Sequence, residues 1–189
     1  MTIERGVYAI GPDVGTVRLH TGRHGVAARA GHDLVLLAQR WRGNLTIDPD
    51  RPEASAVEVS IEAASLEVER AAGLRPLLGR DRSQIHGNIA KVLRARDHPE
   101  ITFRSSAVTQ TSPGVTVEGD LTLLGTTRSL TLHVTSEDIA DGLGLVAIGE
   151  IVQTAFGIKP FSTMLGALQV NDAVAVTVEL RLRATPLSG

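Results

Sequence analysis

Apolar and polar residues alternate along much of this chain. Near its C-terminal end Val174, Val176, Val178, Leu180 and Leu182 are separated by Ala175, Thr177, Glu179 and Arg181, the period of two of a half-buried strand. The same alternation sets Val57, Val59 and Ile61 against Glu58, Ser60 and Glu62. It returns at Val115 and Val117, resumes at Leu121 and Leu123, and appears again at Leu130, Leu132 and Val134. Gly125-Thr126-Thr127-Arg128 between the last two runs reads as a four-residue hairpin connector. Strand-like runs also cover about residues 14–21, 25–30, 34–47, 101–109 and 144–153. Eight to ten strands with short turns predict an antiparallel sandwich or barrel, apolar on one surface and polar on the other.

One segment has a different period. From Asp81 to Arg96, Ile85, Ile89, Val92 and Leu93 fall at i, i+4, i+7 and i+8, one stripe of an amphipathic helix. Asp81 followed by Gln84 resembles a capping box at its start. Asp97-His98-Pro99 ends it, because the residue before a proline is pushed into extended geometry. Residues 71–79 read equally as a short helix or a loop, since Gly73, Pro76 and Gly79 interrupt them. Residues 154–170, with Gly157, Pro160 and Gly166, read as an irregular connector between strands, packed or acting as a mobile lid. With no fixed repeat and no linker, residues 1–189 read as one domain.

Composition narrows the functional classes. Hydrophobic residues make up 42% and charged residues 21%, which excludes a disordered chain. Aromatics are only 3% and net charge is −2, so neither stacking platforms nor a basic footprint for nucleic acid is present. Cysteine is absent, which removes disulfides, thiolate catalysis and iron–sulfur clusters. No apolar run approaches the ~18 residues of a membrane-spanning helix. The opening Met1-Thr2-Ile3-Glu4 segment lacks an apolar leader core, which sets the expectation of a cytoplasmic protein.

Catalytic signals are sparse. His20 and His24 are four apart, but Gly22 and Gly25 disfavour a helix, and on a strand this spacing is too wide for one metal ion. His32-Asp33 precedes the apolar run Leu34-Val35-Leu36-Leu37 and reads as a strand-capping turn or as a polar contact for a headgroup. No Gly-x-Ser-x-Gly elbow or phosphate loop is present. Asp48, Asp50 and Glu53 read as solvated loop acids, and Asn44-Leu45-Thr46 as a chance sequon within a strand. Val, Leu, Ile and Ala, with few bulky aromatics, fill a wide β-barrel poorly, and the pattern fits either an elongated void or a fully packed core. An apolar chain in such a void would gain ~0.8 kcal/mol per buried CH₂. A fully packed interaction module and a barrel enzyme with a histidine at its mouth are the rival readings.

Four segments carry a family resemblance. Pro99-Glu100-Ile101-Thr102-Phe103-Arg104-Ser105-Ser106 and the run from Val117 to Leu132 around Gly125-Thr126-Thr127 are similar to motifs of the YceI-like family. Thr154-Ala155-Phe156-Gly157-Ile158 and Val170-Asn171-Asp172-Ala173-Val174 resemble two further ones, in the same order and spacing. Gln153-Thr154 and Ile85-His86-Gly87-Asn88 depart from the family's pattern. The resemblance implies an eight-stranded antiparallel lipocalin-like barrel with one helix over about 81–96, often homodimeric. It also implies a long polyisoprenoid, isoprenoid quinone or similar amphiphile held inside, without catalysis, cofactor or metal. The lining expected for that ligand is Val57, Val59, Ile61, Leu121, Leu123, Leu130, Leu132, Val174, Val176 and Val178. Phe103 and Phe156 are expected to close an end, and His32 and His86 to meet a polar headgroup.

Overall fold

The period-two segments become strands in the computed structural model, which describes residues 3–183. They are β1 (Gly6–Ile10), β2 (Gly15–His24), β3 (Asp33–Ala38), β4 (Trp41–Ile47), β5 (Ala56–Glu62) and β6 (Leu66–Ala72). After the helix α1 (Gly79–Val92) come β7 (Glu100–Gln110), β8 (Val115–Leu123), β9 (Thr126–Ile139), β10 (Gly142–Val152), β11 (Ser162–Thr163) and β12 (Leu168–Arg183). All belong to one antiparallel sheet in the order β1-β4-β5-β7-β8-β9-β10-β12-β2-β3-β6, with the short β11 beside β12.

The pairings reduce these twelve strands to eight barrel staves. Strands β3 and β4 are halves of one stave bent at Gln39-Arg40, and β5 and β6 are halves of its hairpin partner. Across the corner, the Gln39 N–H donates to the Ser65 carbonyl at 3.1 Å and the Glu62 N–H to the Arg40 carbonyl at 3.0 Å. The Ser65 hydroxyl, buried in this corner, accepts the Arg40 N–H at 3.1 Å and donates to the Glu62 carbonyl at 2.8 Å. Strands β1 and β2 flank the same bent stave, β1 on β4 and β2 on β3. The circuit then runs through β7, β8, β9, β10 and β12, and β12 pairs back onto β2. The expected eight-stranded antiparallel barrel is therefore present, with kinks that divide three of its staves.

Above the corner β6 has no strand on its outer side, and α1 covers that edge. Arg82 donates to the Val68 carbonyl at 2.6 Å and His86 Nε2–H to the Ala64 carbonyl at 3.0 Å. These bonds satisfy backbone acceptors that an open edge would leave to solvent or to another chain.

Local chemistry moved several expected boundaries. The helix begins at Gly79, so Asp81 is its third residue, and its carboxylate accepts the Leu78 N–H at 3.0 Å. It ends at Val92, before Arg94 takes φ 43, rather than at Arg96. Residues 73–78 are loop. The β8–β9 connector is two residues, not four: Leu124 (φ 53) and Gly125 (φ 71) are both left-handed, as a type I′ hairpin requires. Residues 25–30, expected as strand, form a turn and a 3₁₀ segment, because Gly25 at φ 103 turns the chain out of the ladder.

Asp48 is a further correction. It is not a solvated loop acid: its side chain is 6% exposed and accepts from Arg5 at 2.8 Å and from the Arg51 N–H at 3.1 Å. Burial pushes its carboxyl up, but Arg5 and Arg51 together outweigh burial and hold it below the usual aspartate range. The same direction applies to Glu62, through the Arg40 fork at 2.5 and 2.7 Å, and to Glu69, through Arg18 at 2.9 and 3.0 Å. A carboxyl lowered by folding contributes stability that is complete above its unfolded value near ~4 and lost as pH falls through its folded value. Thermal melts followed by circular dichroism should accordingly fall from about pH 5 downward. Asp48→Asn should lower the melting temperature at neutral pH and shrink the acid-induced drop. A drop of parental size in that variant would remove Asp48 from this account.

Candidate functional site

The inward residues enclose a cavity of about 920 Å³ that runs along the barrel. That is near the upper end of ordinary small-molecule sites, which span roughly 300–1,000 Å³. Every stave contributes, because alternate residues of a strand point to the same face. The expected series Val57, Val59, Ile61, Leu121, Leu123, Leu130, Leu132, Val174, Val176 and Val178 all lie on its wall. Phe103 lies there too, on β7 between Val59 of β5 and Leu121 of β8. Its ring packs over Gly119, where a Cβ would come within 2.6 Å of it. The glycine leaves the space the ring occupies.

Two expected contacts are not on the wall. Phe156 is buried in a core cluster with Leu130, Leu132 and Ile158, but outside the set that lines the cavity. Its 3₁₀ turn (Gln153–Phe156) is held by Asp172, which accepts the Thr154 N–H at 2.8 Å and the Thr154 hydroxyl at 2.5 Å. These two bonds lower the Asp172 carboxyl despite an opposing desolvation. His86 is the second. One helical step from Ile85, it turns toward the β6 side and anchors α1 instead of meeting the lumen. His32 does reach the cavity, at its mouth, with Nε2–H donated to the Arg75 carbonyl at 2.6 Å.

Sequence reasoning missed part of the wall. Ile10, Trp41, Leu34 and Leu36 line it, as does a stripe of α1. Along α1 that stripe runs from Asp81 and Gln84 through Ile85 and Asn88 to Ile89 and Val92, with Leu93 just beyond, so its polar members lie in the first ten residues of the helix. Its N-terminal end lies near Arg23, His32, Thr163 and Gln169, which also line the cavity. Strand direction places the loops before β3, α1, β7 and β12 at this same end. The opposite end is bordered by Asp48, Pro49, Pro52, Ser55 and Gly114. The arrangement is a long apolar lumen with polar groups at its ends, suited to an amphiphile whose chain is inside and whose head is at the mouth. Among the described residues, no His, Asp or Glu group has metal-binding geometry, and no helix is long and apolar enough to cross a membrane.

An all-antiparallel barrel of eight staves around an apolar lumen defines a lipocalin-like fold. The chain belongs to the YceI-like family, whose domain model matches residues 8–182. Protein YceI of Escherichia coli O157:H7 is 30% identical over 143 residues, 72% of this chain and 68% of that protein. A UPF0312 protein of Pseudomonas putida (strain W619) is 37% identical over 94 residues, 49% of this chain and 44% of that one. Among solved structures, Burkholderia cenocepacia BcnA superposes with a TM-score of 0.67 at 17% identity, covering 88% of this chain and 94% of that one. A Campylobacter jejuni YCEI protein gives 0.62 at 16%, covering 79% and 84%. At these identities the two structures share the fold.

Proposed function

We propose that the protein binds and carries, or sequesters, a long apolar amphiphile in the barrel lumen, of the polyisoprenoid or isoprenoid-quinone type, without catalysis. The observation that carries this reading is the lumen itself: about 920 Å³, walled by aliphatic side chains from every stave. Each buried CH₂ of a ligand adds ~0.8 kcal/mol before ordering costs, so a chain of several isoprene units binds on area alone. Membership of a family of β-barrel polyisoprenoid-binding proteins supports the same reading. The rings of His32 and His86 each donate Nε2–H to a backbone carbonyl, which suits positioning roles better than proton transfer.

The test is mass spectrometry of an organic extract of the purified, undelipidated protein, with native mass spectrometry in parallel. The expected result is one polyprenyl or quinone-like species at near-stoichiometric amount, with a native mass raised to match. A blank extract together with a native mass equal to the bare chain would refute the carrier reading.

A further inference from the structure

The end of the barrel that carries the lumen mouth is built unlike the rest of the surface. Three loops meet there: 25–32, 73–78 and 157–167. They are joined to one another, since the Ala27 N–H donates to the Ala167 carbonyl at 2.8 Å and His32 bonds the Arg75 carbonyl at 2.6 Å. Each loop sends an aliphatic side chain into water: Val26 is 98% exposed, Leu74 80% and Leu165 109%. Leu78 and Phe161 are exposed beside them. Leu165 holds φ 55, a region disfavoured for a side chain branched like leucine, so the fold accepts local strain to present it.

Charge divides the same way. The three mouth loops contain Arg29, Arg75 and Lys159, all exposed, and no aspartate or glutamate, and the loop before β7 at the same end adds Arg94 and Arg96 against Asp97. The first carboxylates beyond the three loops are engaged: Asp33 lies 3.5 Å from Arg23, and Asp81 accepts the Leu78 N–H and lies 3.8 Å from Arg80. The loops at the opposite end, 48–55, 111–114 and 140–141, contain Asp48, Asp50, Glu53 and Asp141 against Arg51, with Arg5 also reaching Asp48, so the balance there stays acidic. A chain of net charge −2 therefore presents a cationic face at one end only.

We infer that the mouth rim docks on an anionic lipid bilayer, with Val26, Leu74 and Leu165 entering the headgroup region. Exposed aliphatic tips ringed by cations are the composition of interfacial anchors, and the acidic far end would be repelled by the same surface, which fixes the orientation. Phe161 is both exposed and part of the lumen wall, so one apolar side chain joins rim to cavity. Docked in this way, the barrel exchanges a lipid with the bilayer without passing its chain through water. The exchange step rests on the carrier reading; the docking step does not.

The test uses the delipidated full chain and flotation with vesicles of phosphatidylglycerol and phosphatidylcholine, or phosphatidylcholine alone. Binding to the anionic vesicles is expected, weakened by salt. Neutralising three cations together (Arg29→Gln, Arg75→Gln, Lys159→Gln) should lower vesicle affinity on the order of 100-fold. Val26→Ser with Leu74→Ser and Leu165→Ser should lower it at least tenfold, with the melting temperature unchanged. Absence of binding to anionic vesicles at moderate salt overturns the inference, as does binding that neither set of substitutions weakens. So does a rim-dependent dimer in sedimentation velocity, abolished by the serine variant, that does not dissociate onto vesicles. A blank lipid extract alongside normal vesicle binding would refute the carrier alone, and a loaded extract without vesicle binding would refute the rim alone.

Discussion

Replacing Val59 and Val178 together by phenylalanine should empty the lumen while leaving the barrel folded. Both side chains line the cavity from different walls, β5 and β12, and both are half-buried because their far side meets void. Val59 is opposite Gly43 and Phe103, and Val178 opposite Ala147 and Val17, so an added ring extends from the wall into the lumen. Enlarging a residue in a packed core costs ~1–3 kcal/mol, but here the added atoms enter unfilled space. The co-purified amphiphile should fall at least about tenfold, because the rings take volume and surface the chain would have occupied. The melting temperature of the delipidated variant should stay within about 3 °C of the parent, a change of ~1 kcal/mol. Ile148→Phe is the control: it is 52% exposed on the outer face and should change neither quantity. Parental loading in the double variant would place the ligand outside the lumen.

Part of the wall was legible because one face of each strand meets the lumen and the other meets water. In β8, β9 and β12 that contrast is clean, and Leu121, Leu130 and Val176 follow from it directly. In β3 it is not. Leu34-Val35-Leu36-Leu37 is apolar at every position, so periodicity alone does not select Leu34 and Leu36 as the lumen face. The short β1 escaped notice because Val7 points outward and is 45% exposed. Continuity across the kinks is a tertiary property: the bond from Gln39 to Ser65 joins residues far apart in the chain, and no local pattern encodes it.

The site residues divide on the same physical ground. Period two located the aliphatic lining, but a histidine's role depends on rotation about a helix or on a carbonyl elsewhere. His86 was on the correct helix and one residue off the lumen stripe. Asp48 read as solvated because its partner Arg5 lies 43 positions away. Val26 helped residues 25–30 to look like a strand, when that side chain stands in water at the mouth.

Phe156→Ala separates packing from ligand contact at the position where expectation and geometry part. The sequence expectation makes Phe156 a closing residue of the lumen; the structure buries it, 5% exposed, in one cluster with Leu130, Leu132 and Ile158. Its turn is closed on one side by Gly157 at φ 73 and on the other by the Thr154–Asp172 bonds, so the backbone has little freedom to collapse into the space left. Removing a buried phenylalanine costs ~3–5 kcal/mol when the site relaxes poorly. At 2–4 °C per kcal/mol for a chain of this size, the melting temperature should fall on the order of 10 °C. Ligand loading at a temperature where the variant is folded should match the parent, because no atom of the wall has been removed. Calorimetry or circular dichroism gives the first quantity and mass spectrometry of the extract the second. A stable variant that has lost its ligand would make Phe156 a wall residue after all. An unstable one that keeps it places the ring in the core supporting β9, where it holds Leu130 and Leu132 toward the lumen.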